Sequence, residues 1–312
     1  MPAKSTGTST DHPTENDSSY RRLAGLQASK RNMVRISIAS GKGGTGKTLV
    51  ATNLAAVAAD AFLVDLDVEE PNCHLFFDGK ELSREAVSRR VPFVNEESCT
   101  HCGNCAEVCE FHAIVSLPKN VLVFDELCHG CGACSMFCPE DAIEERDHHM
   151  GEIIHLSASG LLGLTYGRLR VGEASAATLI KRVKRGMTNN RLTIIDCPPG
   201  TACPAVESMR GTDLCVLVTE PTPFGLHDLK LALDVTKKLR LPHVVLLNKA
   251  GLPGPDIKKF CADNGLPIVG EIPLQRAIAE TYSEGKLLVR DPGFKKLFES
   301  MLERILKEAE KT

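Results

Sequence analysis

From Met33 onward the chain alternates short apolar runs with longer mixed stretches. Met33-Val-Arg-Ile-Ser-Ile-Ala-Ser40 reads as a buried strand, a glycine-rich turn follows, and the alanine-rich run from Leu49 to Ala59 reads as a helix. Ala61-Phe-Leu-Val-Asp65 is the next strand. Strand, helix and strand within about thirty residues predict a βαβ unit, hence a parallel pair joined by a right-handed crossover. The same grammar resumes after residue 150, with strands expected at Leu192–Ile195, Leu214–Val218 and His243–Leu247 and a helix at Leu226–Leu239. Residues 1–31 are different: serine, threonine and charge without apolar periodicity bury too little to offset ordering entropy, so a disordered tail is expected.

Between Val91 and Met150 the alternation gives way to short loops and eight cysteines. Motifs that belong to one nucleotide site, described below, lie on both sides of this block. An insertion therefore explains it better than two domains in tandem: residues 32–90 and 151–312 would form the α/β domain and 91–150 the insert. The insert repeats itself. Cys99, Cys102, Cys105 and Cys109 recur 29 residues later as Cys128, Cys131, Cys134 and Cys138, and Gly103, Ala113 and Ile114 recur as Gly132, Ala142 and Ile143.

Composition narrows the functions to consider. The 312 residues carry 37 basic and 40 acidic side chains, a near balance that argues against a general binder of nucleic acid or anionic membranes. Tryptophan is absent and aromatics are 4%, so platforms for stacking bases are not expected. Thirteen cysteines are an odd number, and no secretory leader opens the chain, which points to thiols in a reducing cytoplasm rather than a disulfide framework. No stretch reaches the roughly eighteen apolar residues of a membrane helix.

Gly41-Lys42-Gly43-Gly44-Thr45-Gly46-Lys47-Thr48 fits the P-loop pattern and lies between a predicted strand and helix, where backbone N–H groups and the helix dipole can cradle phosphates. Lys47 would neutralise the β/γ-phosphates and Thr48 would offer its hydroxyl to Mg²⁺. Asp65-Leu-Asp67 closes the second strand, and Leu192-Thr-Ile-Ile-Asp196-Cys-Pro-Pro-Gly200 has the form of a Walker B strand running into a turn. A carboxylate there can hold the water shell of Mg²⁺.

Lys42, directly after the first glycine, makes this loop resemble the deviant P-loop of the MinD/ParA/Mrp class of dimeric ATPases, which includes the nitrogenase iron protein. The resemblance covers about residues 33–77 and 155–312. It implies a mostly parallel α/β P-loop fold of the deviant Walker A class. It also implies ATP-driven pairing of two protomers, as a homodimer or with a paralogue, in which Lys42 reaches the partner's nucleotide. By the same resemblance Asp67 orients the attacking water, Asp196 serves Mg²⁺ and Asn248 contacts adenine.

The two C-x₂-C-x₂-C-x₃-C runs resemble bacterial two-cluster ferredoxins, in which the fourth cysteine of each run ligates the other run's cluster. One [4Fe–4S] cluster would take Cys99, Cys102, Cys105 and Cys138, the other Cys128, Cys131, Cys134 and Cys109. The insert would then be an α+β dicluster ferredoxin-like domain. Pro139 follows Cys138 as that pattern expects, whereas Glu110 follows Cys109. Zinc also uses paired cysteines and is the competing occupant, though its sites seldom need a third cysteine at the next two-residue step. His101 and His129 read as loop histidines, Phe111 and Phe137 as packing around the clusters.

Cys203 stands seven residues after Asp196, as a cysteine of the nitrogenase iron protein does that ligates a cluster shared across the dimer, but no second ligating cysteine is evident between Gly160 and Ala177. The C-x-x-C of Mrp-type carriers is also missing. Cys73, Cys197, Cys215 and Cys261 read as small core residues. The apolar face from Phe294 to Leu306 is expected to pack on the sheet, since its polar face mixes glutamate with lysine and arginine, unlike a membrane-surface helix. Lys181, Arg182, Lys184 and Arg185 read as a solvated helix end, and His148-His149 as a solvated turn. The combination resembles MinD-superfamily ATPases with an inserted ferredoxin domain. Three roles follow: ATP-controlled electron transfer to an acceptor metalloprotein, cluster delivery in metalloprotein maturation, or positioning by a partition-type ATPase whose clusters are structural or redox-sensing.

Overall fold

The first strand-helix-strand unit forms as expected. In the computed structural model, which describes residues 33–58, 60–187 and 192–311, β1 (Val34–Ala39) runs through the glycine turn into α1 (Lys47–Val57) and returns as β2 (Ala61–Asp65). The predicted tail lies outside the described residues. Helix α1 starts two residues earlier than its apolar pattern, because Gly46, at φ 94°, turns the chain sharply and lets the lysine itself occupy the first helical position.

The chain continues through β3 (Gly79–Val94), α2 (Asn104–Glu107), β4 (Ile114–Leu117), β5 (Asn120–Val123), α3 (Ala133–Met136), β6 (Ile143–Ala158), β7 (Gly163–Leu169) and α4 (Ala176–Arg185). It then forms β8 (Leu192–Asp196), α5 (Cys203–Met209), β9 (Leu214–Thr219), α6 (Pro223–Lys238), β10 (His243–Ala250), α7 (Ile257–Asp263), β11 (Ile268–Pro273), α8 (Arg276–Ser283) and α9 (Pro292–Ala309). Among the described residues one sheet has the order β11-β10-β9-β1-β8-β2-β7-β6-β3. All pairs from β11 to β7 are parallel and the last two are antiparallel, so this is a mostly parallel α/β fold with an antiparallel edge. Strand β8 lies between β1 and β2, and its register sets Asp196 beside Asp65 at the carboxyl ends of neighbouring strands. That edge of a parallel sheet is where ligands of such folds are bound.

Both sheet faces are covered. Helices α1 and α9 close one, with Leu54, Phe298, Met301, Leu302 and Ile305 fully buried, and α4 to α7 close the other around Leu179, Met209, Leu229 and Ile257. The apolar face of α9 therefore packs on the sheet as its mixed polar face suggested, each such side chain contributing about 1.5–3 kcal/mol by burial.

Strands β3 and β6 are sixteen residues each and pair antiparallel from Gly79↔Ala158 to Val94↔Ile143. Only Gly151–Leu156 of β6 also pairs with β7. The rest of the ribbon projects past the sheet and carries residues 95–142, so the expected boundaries at 90/91 and 150/151 fall inside these strands. The lobe at its end holds the hairpin β4–β5, two one-turn helices and a small core of Ile114, Val121 and Ile143 with Cys105 and Cys134. The two long strands escape the apolar pattern because β3 is a sheet edge: Lys80, Glu81, Arg84 and Glu85 occupy its exposed first half, charge that discourages pairing with another chain. His148 corrects the reading of a solvated turn. It is a buried β6 residue within 2.6 Å of Glu173.

Candidate functional site

The glycine loop follows β1 at the carboxyl edge of the sheet. Gly44 and Gly46 adopt φ 75° and 94°, conformations that suit glycine. Gly41 is needed for close approach instead, since a Cβ there would meet the Asp228 carbonyl oxygen at 2.2 Å. The loop opens on a cavity of about 380 Å³ whose wall includes Gly43, Gly44, Gly46, Lys47, Thr48, Asp67, Asn248 and Tyr282. Lys47 is only 6% exposed at the first helical position, which aims a cation and the helix dipole at the same space.

Three groups converge behind it. The Thr48 hydroxyl donates to Asp196 Oδ2 at 2.6 Å, and the Cys73 thiol donates to the same oxygen at 3.4 Å. Asp196 Oδ1 is buried and has no partner among the described residues. Asp65 accepts backbone N–H bonds from Asp67, Asn72 and Cys73 at 3.0, 2.9 and 2.9 Å, which fixes the turn carrying Asp67. Desolvation, then the Asp65 carboxylate, pushes Asp196 well above the usual carboxylate range; desolvation likewise raises Asp65. Asp67 rises to about 6 through burial first and Asp65 second, opposed by Lys47. A buried carboxylate with one orphan oxygen beside a hydroxyl is a donor set suited to Mg²⁺, which seeks hard oxygen ligands.

This arrangement has a measurable cost. A folded-state pKa raised above the ordinary value contributes stability that is complete below about pH 4 and is lost as pH rises through the raised value. Asp196→Asn is therefore expected to stabilise the nucleotide-free chain at about pH 8 by about 1–3 kcal/mol. The gain should shrink toward about pH 4. Thermal melts across pH check this; a variant less stable than the parent at high pH would contradict it.

Lys42 does not project freely. Its Nζ is 2.6 Å from Glu220 Oε1, and Glu220 Oε2 holds Lys249 at 2.8 Å, while Lys249 also donates to the Gly44 carbonyl at 3.2 Å. Glu220 follows β9 and is 7% exposed; its two lysines hold its carboxyl below the usual range despite burial. It went unseen in the sequence because a single glutamate after an apolar run carries no spacing signal. Asn248 donates to the Thr45 carbonyl at 2.7 Å, tying β10 to the glycine loop.

In the lobe, one cavity is walled by Cys99, Cys102, Cys105 and Cys138 and a second by Cys109, Cys128, Cys131 and Cys134. Each takes three thiols from one run and the fourth from the other. Backbone geometry repeats with the sequence: His101 and Gly130, Gly103 and Gly132, and His112 and Asp141 all have positive φ at the 29-residue offset. The amides of His101 and Gly130 point at Cys99 and Cys128 Sγ at 3.4 and 3.3 Å, and those of Ala113 and Ala142 at Cys109 and Cys138 Sγ, both at 3.3 Å.

Sulfur spacing bears on zinc. Four thiolates 2.3 Å from one zinc lie roughly 3.8 Å apart. Among the described residues, the trios of potential ligand atoms within 4.8 Å of one another are Glu96-Cys99-His101 and Asp65-Cys73-Asp196; no trio of the eight cysteines qualifies. The thiols of each run therefore stand farther apart than four thiolates on a single zinc, around cavities of about 20 Å³. His129 stacks on Phe111 at 3.7 Å between ring centroids, a packing role for both. Phe137 is largely exposed.

Cys203 is exposed at the start of α5, while Cys73, Cys197, Cys215 and Cys261 are buried. Lys184 departs from the expected solvated helix end by donating to the carbonyls of Glu207, Ser208 and Arg210. No described helix is long and apolar enough to cross a membrane.

The CobQ/CobB/MinD/ParA nucleotide binding domain family matches residues 36–289. An uncharacterized protein of Methanocaldococcus jannaschii is 34% identical over 228 residues, 70% of this chain and 79% of that one. An iron-sulfur cluster carrier protein of Pyrococcus horikoshii is 24% identical over 299 residues, 89% of this chain and 87% of its own. Among solved structures, the septum site-determining protein MinD of Pyrococcus horikoshii, complexed with Mg-ADP, matches with a TM-score of 0.52 at 21% identity, over 87% of this chain and 95% of that one. MinD of Pyrococcus furiosus matches with a TM-score of 0.52 at 22% identity, over 88% and 98%. These likenesses establish the fold.

Proposed function

The chain belongs to the CobQ/CobB/MinD/ParA family of nucleotide-binding domains, and from that premise we propose that it is an ATP-driven switch that gates electron transfer through two [4Fe–4S] clusters in its lobe. The observation that carries this reading is the pair of four-thiol cavities, each drawing on both cysteine runs, on a ribbon continuous with the ATPase sheet. Lys47 and the glycine-loop amides hold the phosphates. Thr48 and Asp196 would hold Mg²⁺, Asp67 would orient the attacking water, and Asn248, in the cavity wall beside the glycine loop, would contact adenine. When ATP arrives, Lys42 leaves Glu220 for the nucleotide of a second copy or a paralogue, and the two protomers close.

Clusters held there would supply one-electron carriers; the thiols would hold them, and the loop amides would bias their charge. Burial favours resident clusters over cargo: each cavity has one exposed thiol, Cys102 or Cys131, and the other six are buried or half-buried. Residues 95–142 carry eight carboxylates against a single lysine. A cationic acceptor metalloprotein therefore suits the lobe by charge.

The test is to incubate the iron-loaded, dithionite-reduced chain with Mg-ATP and two acceptors, ferricytochrome c and an apo-ferredoxin. Iron is expected to stay with the chain while ATP accelerates cytochrome reduction at least about threefold, and rising salt should slow it. Iron moving to the apo-ferredoxin would overturn electron transfer in favour of cluster delivery. No ATP effect on either acceptor would leave the positioning role.

A further inference from the structure

The lobe touches the ATPase at one strongly charged joint. Arg89 of β3 and His148 of β6 are cross-strand partners on the ribbon, and both face Glu173 in the loop between β7 and α4. Arg89 Nη1 lies 2.6 Å from Glu173 Oε2, with both side chains almost wholly buried, although the pair is not aligned as a hydrogen bond. His148 Nε2 is 2.6 Å from Glu173 Oε1, and Arg170 Nη2 is 3.0 Å from the same oxygen. Two buried charges are costly unless the surroundings hold them tightly, so this loop and this ribbon are fixed to each other in one arrangement.

On the lobe side, Arg89 Nη2 donates to the Asp125 carbonyl, and Arg146 reaches the Asp125 carboxylate at 2.6 Å. The amide of Ala174 donates to the Glu126 carbonyl at 3.3 Å. Asp125 and Glu126 form the turn that leads into Cys128, and a Cβ on Gly130 would meet the Arg90 carbonyl at 2.8 Å. The loop holding the Cys109/Cys128/Cys131/Cys134 cavity is thereby seated on Arg89 and its neighbour.

The ATPase side leads to the nucleotide. The amide at the end of β7, on Leu169, donates to the Val68 carbonyl at 2.8 Å, one residue after Asp67. The stretch from Leu169 to Glu173 shares a cleft with Asp67, Glu70 and Pro199, which belong to the two turns that border the phosphate site. A movement of Asp67 toward attacking water would be felt at Leu169 and, four residues on, at Glu173.

We propose that Glu173, gripped by Arg89, His148 and Arg170, is the positioning residue through which nucleotide state reaches the nearer thiol cavity, and through which the charge of that cavity reaches the nucleotide. The inference rests on the gated-cluster reading and names its coupling element. Coupling between two sites is reciprocal, so the redox state of the cluster must change nucleotide affinity by the factor with which nucleotide changes cluster reduction. An electron added to a cluster held at Cys128 would alter the pull on Arg89, which faces that thiol, and hence the seat of Glu173 and the loop behind Asp67.

The test measures affinity for a fluorescent ATP analogue with Mg²⁺ on the iron-loaded chain, oxidised and dithionite-reduced. The parent is expected to differ at least about fivefold between the two states. Glu173→Gln, which keeps shape and removes charge, should bring the ratio below about twofold at unchanged iron content. Arg170→Gln removes a half-exposed strut of the same joint and should also lower the ratio, which keeps the proposal testable if the buried substitution fails to fold. A merely structural joint would change stability and leave the ratio intact. An undiminished ratio in both variants, or equal affinities in an iron-loaded, nucleotide-binding parent, would overturn the inference. A parent that carries no iron or binds no nucleotide would refute the proposed function itself.

Discussion

Lys47→Ala is expected to reduce Mg-ATP affinity by about thirtyfold or more and to remove hydrolysis with it. The lysine is buried at the first turn of α1, facing the cavity lined by the glycine loop. Without nucleotide it faces the Asp67 and Asp196 carboxyls; phosphate in that space would take up its charge, and removing one partner of such a buried, charge-assisted contact costs about 2–5 kcal/mol. At about 1.4 kcal/mol per tenfold, that spans roughly a thirtyfold loss at its lower end, about three hundredfold at its middle and several thousandfold at its upper end. The same substitution withdraws the cation that opposes the raised Asp67 carboxyl. The variant should therefore fold, since no packing partner is lost beyond the lysine stem, while isothermal titration with Mg-ATP shows little heat. Affinity within about threefold of the parent, or unchanged turnover, would remove the glycine loop from the nucleotide assignment.

Cys138→Ala should cost the chain half its iron, from about eight to about four atoms, and the half lost should belong to the other run. This follows from the cavities: Cys138 lines the one formed with Cys99, Cys102 and Cys105, although in sequence it closes the run that begins at Cys128. Double variants separate the two possible pairings. Cys138→Ala with Cys99→Ala should still hold about four irons, because both substitutions strike one cluster. Cys138→Ala with Cys128→Ala should hold almost none. The reverse pattern would show that each run serves its own cluster and would contradict the crossed arrangement. Metal analysis after anaerobic loading, with electron paramagnetic resonance of the reduced chain, reads the result directly.

Much of the ATPase half was legible before any fold was known. The strand at Val34–Ala39, the turn with Gly41 and Gly46, the body of the helix from Leu49 and the strands at Leu192, Leu214 and His243 all announce themselves by apolar runs bounded by glycine or charge. The lobe's repeat was equally plain from its cysteines, and the backbone follows it: positive φ recurs at the 29-residue offset even where the residues differ, as at His101 and Gly130. Long polar strands were not legible. The first half of β3 is an exposed edge and follows no apolar alternation, so its secondary structure comes from hydrogen bonds to β6 rather than from its own side chains. Helix α4 and the loop before it were read only as a basic run, although Lys184 secures the end of α5 and Glu173 sits at the joint.

The sequence by itself determined the chemistry on offer: a phosphate-binding turn, carboxylates at strand ends and eight thiols in two matched runs, because these depend on local spacing. Only the tertiary structure decided which of them meet. It set Asp196 against Asp65, gave Lys42 to Glu220 and buried Arg89 and His148 around Glu173. Those partners are separated by up to 178 positions along the chain. Their pairing is set by sheet order and strand register, which arise from the packing of the whole core and leave no mark on any single segment.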